Sequence, residues 1–120
     1  MKATEFVKKG GLWVFKYALA QLSFNKDMFL VVYRYECEFV SEVEDNHGDC
    51  VFSYRDVKQI VDAFELVESH GGLISSKKYL KFLQSSVDMG LYHGLDDVNY
   101  ETEIPLMNNA INLVGQCQND

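Results

Sequence analysis

The residues with most reactive potential in this 120-residue chain are three cysteines and three histidines. Cys37, Cys50 and Cys117 are odd in number and widely spaced. Disulfide-stapled secreted domains show even, closely spaced sets instead. No CxxC pair or Cys/His cluster offers four ligands to zinc, so no metal site and no cofactor is expected. The thiols read as reduced and packed, with Cys37 and Cys50 placed to face each other across a hairpin. Cys50 follows Asp49 and has no adjacent cation to lower a thiol pKa, which makes it a poor nucleophile. His47, His70 and His93 are far apart. His47 lies in a turn between acids. His70 falls at a predicted helix end, where the dipole favours a positive ring.

Gly10-Gly11 and Gly71-Gly72 match neither GxGxxG nor a Walker loop. There is no GxSxG elbow. Glu36 and Glu38 share a strand face, an arrangement common on solvated strands. No catalytic residue is assigned, and the chain reads as non-enzymatic. A small enzyme with an unrecognised site stays as an alternative. A deep polar pocket joining His70 or His93 to a carboxylate would favour it. Trp13, Phe15, Tyr17, Tyr33, Tyr35, Phe52, Tyr54 and Phe64 could form a base-stacking platform. Such platforms are flanked by Lys and Arg, whereas this strand runs out into acids, so these aromatics are expected in the core.

The elements that would position these residues follow from spacing. Thr4 caps a short helix over residues 5–9, and Gly10-Gly11 ends it. A second helix from Leu12 to Leu22 is apolar nearly all round, so it is expected to be largely buried. Met28 to Val40 reads as one strand, apolar on both faces in its first half and on one face in its second. Asn46-His47-Gly48 turns the chain, and residues 50–52 return as a shorter strand. Ser53 and Asp56 stand at capping-box spacing. Val57, Ile60, Val61, Phe64 and Val67 continue at helical spacing to Gly71-Gly72. Ser75 or Ser76 caps a helix through Gln84, residues 85–99 look irregular, and Pro105 opens the last helix. A weak echo pairs residues 5–16 with residues 65–77 around the two Gly-Gly pairs. It is either one unit used twice or the product of shared capping rules.

The length suits one domain, and 48% hydrophobic content excludes a disordered chain. A transmembrane span is not expected, because Arg34 interrupts the apolar run that starts at Met28. A secretory signal is not expected either, because Lys16 breaks the first apolar stretch. Together with the cysteines, this predicts a cytoplasmic protein.

The net charge of −7 argues against direct nucleic-acid binding. Its layout is uneven. Residues 1–34 are net +4, residues 35–54 net −6, residues 55–84 net +1 and residues 85–120 net −6. The two acidic segments contain no lysine or arginine. Such segments either keep a chain soluble or steer it to an oppositely charged partner.

Three patches carry a family likeness: Thr4-Glu5-Phe6-Val7-Lys8-Lys9-Gly10-Gly11, residues 63–73 around His70-Gly71-Gly72, and Asn109-Ala110-Ile111-Asn112-Leu113-Val114. They resemble small, uncharacterised accessory proteins from the early regions of lambdoid phages and prophages. The likeness covers about a third of the chain and brings no functional residue with it. It implies a bacterial host cytoplasm and a role in host modulation or counter-defence.

The expectation is an α+β single domain, with four or five helices packed around a short antiparallel β-hairpin. It is expected to act as an inhibitor whose acidic surface faces a basic site on a host protein, for instance a nucleic-acid-binding protein. Glu36, Glu38, Glu42, Glu44 and Asp45 are the expected partner contacts. An immunity protein or antitoxin against a basic nuclease predicts the same acidity. The apolar helices also make a homodimer an option.

Overall fold

A computed structural model describes residues 1–34, 36–90 and 100–118. The architecture is α+β, with a three-stranded antiparallel sheet and helices on either side of it in sequence. The chain divides into two compact units. One comprises residues 1–61 with the residues from Gln116 onward, and the other comprises residues 62–115.

The first unit opens with α1 (Ala3–Phe6), a π-helical turn (Val7–Gly11) and α2 (Leu12–Gln21). α1 starts one residue before the expected Thr4 cap, with Lys2 at the N-cap position. Gly10 has φ 99°, in the left-handed region that glycine tolerates best, and this bends the chain between α1 and α2. Gly11 is buried, and a side chain there would overlap the Phe6 ring.

The long strand expected over 28–40 is two strands. β1 (Phe29–Val32) pairs antiparallel with β2 (Cys37–Val40). The Tyr33 N–H donates to the Glu36 carbonyl at 2.7 Å and closes the hairpin. The run Tyr33 to Glu36 is extended by propensity, yet antiparallel pairing satisfies more backbone groups than one long strand would. β3 (Val51–Ser53) lies on the other side of β1, giving the order β2-β1-β3. Leu30 faces Phe39 on one side and Phe52 on the other. Phe6, Phe15 and Phe52 form a cluster with ring centroids 5.0–5.3 Å apart. That spacing suits tilted and edge-on aromatic contacts.

α3 (Tyr54–Ser69) begins as its sequence requires, with the Asp56 N–H donating to Ser53 Oγ at 3.1 Å. In the second unit, α3 supplies Ala63 and Val67, α4 (Leu73–Asp88) supplies Leu80, and α5 (Tyr100–Cys117) supplies Met107, Ala110, Ile111 and Val114 to one core. Gly72 (φ 104°), not Ser75 or Ser76, sits at the N-cap of α4. Ser76 is instead buried, its hydroxyl donating to the Val67 carbonyl at 3.2 Å. Residues 85–88 continue α4, and residues 91–99 lie outside the described residues. α5 begins at Tyr100, so Pro105 stands inside it. Buried Tyr100 and the dipole-favoured Glu101 and Glu103 carry the first turn past the proline. The two Gly-Gly pairs differ in geometry. Gly71 and Gly72 both have positive φ, whereas Gly11 has φ −85°.

Candidate functional site

Val32 is the floor of a groove in the first unit. It faces Cys37 in β2, and its N–H donates to the Cys50 carbonyl at 2.9 Å. The two thiols therefore flank β1 and do not face each other across a hairpin. A non-hydrogen-bonded pair spans about 4.5 Å between Cα atoms and a hydrogen-bonded one about 5.5 Å, which puts Cys37 and Cys50 about 10 Å apart. A disulfide needs less than about 7 Å. Both are free and half-buried, and Cys117 is free and buried. Burial, and then the Glu36 charge, push the Cys37 thiol up. Burial alone does so for Cys117.

One wall of the groove is Phe6, Gly10 and Gly11 with Trp13, Val14 and Tyr17 of α2. The cavity measures about 850 Å³. α2 does not bury all of its apolar side chains as expected. Phe15 and Ala18 are fully buried, but Trp13 is 70% exposed and Tyr17 50%. Trp13 and Tyr17 are four residues apart and share one helix face. The sheet covers only the face bearing Phe15, so an all-round apolar helix leaves its other face open. No periodicity distinguishes the two faces of such a helix, and for this reason the sequence placed Trp13 and Tyr17 in the core.

The rim carries Lys9, Tyr33, Arg34 and Glu36. The Tyr33 hydroxyl donates to Glu38 Oε1 at 2.9 Å. This bond, slight burial and the charges of Glu38, Glu36 and Glu44 raise the Tyr33 pKa. Three of the five expected contact residues, Glu36, Glu38 and Glu44, thus act on one phenol. Glu44 also accepts from the His47 backbone N–H, while His47 Nδ1 accepts from the Glu44 N–H at 2.9 Å, which fixes the loop after β2. Glu42 and Asp45 are exposed on the same loop and are not among the groups acting on Tyr33.

Among the described residues, no group of three or more His, Cys, Asp or Glu could hold a metal ion. No helix there is long and apolar enough to cross a membrane. The described lining of the groove holds no histidine. His70 stacks on Tyr79 with centroids 4.5 Å apart. Tyr35, His93, Asp96, Asp97 and Asp120 lie outside the described residues.

No protein-family model, curated protein or solved structure matches the chain.

Proposed function

We propose that this protein is a non-enzymatic binding protein that captures a partner protein through the β1–β2 hairpin and the adjoining groove. One observation carries the reading: Glu36 and Tyr33 line a groove walled by exposed aromatic side chains and rimmed also by Lys9 and Arg34, and the Tyr33 hydroxyl donates to Glu38 on the same hairpin. Exposed Trp13 and Tyr17 wall the groove. Aromatic anchors beside a charged rim are the composition of a protein interface, where a few aromatic contacts carry most of the energy and charges set encounter and register. The partner segment would combine lysine or arginine residues with an apolar side chain. A host protein with a basic surface, held by a phage or prophage accessory protein, fits this chemistry and the resemblance of residues 4–11, 63–73 and 109–114.

The test is affinity capture from a bacterial lysate with wild type, the reversal E36K/E38K/E42K/E44K/D45K, and W13A. The reading expects a captured protein that is lost in both variants and released at high salt, since screening weakens exposed charge pairs. Capture unchanged by either the charge reversal or W13A would overturn it. Capture of a nuclease encoded beside this chain would make the protein an immunity protein.

A further inference from the structure

α4 presents an exposed face opposite in sign to the hairpin. Residues 74, 78, 81, 82, 85 and 89 fall on one side at helical spacing, away from buried Ser76, Leu80 and Leu83. Ile74 is 73% exposed, Phe82 53% and Met89 66%. Lys77, Lys78 and Lys81 are exposed around them. These lysines are three of the chain's 11 bases, gathered within five residues of a strongly acidic protein. Lysines alone would be an ordinary solvated face. Here three large apolar side chains stand exposed on the same helix face as the lysines.

The complement of this face lies on the same sequence. Glu36 lines the groove beside Lys9 and Arg34, Glu38 accepts from the Tyr33 hydroxyl on the same hairpin and Glu44 lies on the loop after it, so three carboxylates face three ammonium groups, and the groove has room for a phenyl side chain. We infer that the Lys77–Met89 face of α4 docks on the hairpin and groove of a second copy of this chain, with Phe82 or Ile74 as the apolar anchor. This rests on reading the hairpin and groove as a docking surface. The net charge of −7 repels a second copy at long range. At physiological salt, however, the screening length is about 8 Å, so the matched patches decide the contact once the copies are close. Contacts made in both directions close a pair, and contacts made once leave a free helix face and a free groove, so assembly continues. In either case the copy and the external partner compete for one groove.

Sedimentation of the full chain over a concentration series tests the inference, using wild type, K77E/K78E/K81E, F82S and E36K/E38K/E44K, each checked for folding by circular dichroism. The expected result is concentration-dependent association of wild type, weakened about tenfold or more in every variant. A mixture of the lysine-reversed and acid-reversed chains should associate again, because each chain's α4 face then meets a hairpin of opposite sign on the other. A wild type that stays monomeric, association insensitive to the α4 changes, or a mixture that stays apart would each overturn it. Partner capture is read separately. An acid-reversed chain that stops self-associating but still captures its partner would sink the proposed function and leave this inference standing.

Discussion

The Tyr33 hydroxyl donates a hydrogen bond to Glu38 Oε1 at 2.9 Å, joining the turn of the hairpin to its second strand. A carboxylate acceptor holds the phenol in its neutral form, and the negative charges of Glu36 and Glu44 add to that. The expected partner surface therefore has internal order and is more than a set of solvated acids.

The Tyr33 phenolate should form at a higher pH than in an ordinary tyrosine. Its folded pKa is raised, so its contribution to stability is present below the unfolded value of about 10 and is lost as pH rises through the folded value. Ultraviolet titration of wild type against Y33F isolates the step. E38Q should bring it down, and an unchanged titration would refute the hydrogen bond.

Trp13 is 70% exposed, so W13A should change stability by less than about 0.5 kcal/mol. The same change should weaken partner binding by about tenfold or more, as loss of an aromatic anchor does. Thermal melting and calorimetric titration measure the two effects. A large melting loss with unaltered binding would return Trp13 to the core.

The bend between α1 and α2 depends on both glycines. G10A should cost about 1 kcal/mol for forcing a side chain to φ 99°. G11A should cost about 1–3 kcal/mol, because the new methyl overlaps the Phe6 ring and must displace it from the aromatic cluster. Urea unfolding distinguishes the two, and G11A is expected to be the more damaging.

Cys37 and Cys50 should stay unlinked under mild oxidation of the folded chain, since β1 separates them. Non-reducing mass analysis of a C117S background reads this directly. In a C50S/C117S background, E36Q should speed Cys37 alkylation at mildly alkaline pH. Removing that charge lowers a raised thiol pKa and enlarges the thiolate fraction. An unaffected rate would mean that burial alone sets it.

Local signals were legible wherever one short-range interaction decides the outcome. Ser53 capping Asp56 and the end of α3 at Gly71-Gly72 are of this kind. The hairpin inside residues 28–40 was not. The sequence between Val32 and Cys37 carries no glycine, proline or asparagine, and cross-strand pairing alone marks the reversal. The start of α5 was hidden because Pro105 is a stronger local signal than buried Tyr100, whose role depends on packing. At the site, the exposure of Glu36, Glu38, Glu42, Glu44 and Asp45 follows from their charge. The hydrogen bond from the Tyr33 hydroxyl to Glu38 needs the folded hairpin.

The sequence by itself determined an α+β chain with an acidic segment at residues 35–54, because composition, helical periodicity and β-propensity are local properties. Tertiary structure alone decided which face of α2 meets the sheet. That choice leaves Trp13 and Tyr17 in solvent beside the acids. The physical reason is that an apolar side chain records a preference for burial, while the neighbours available to bury it are set by the rest of the fold.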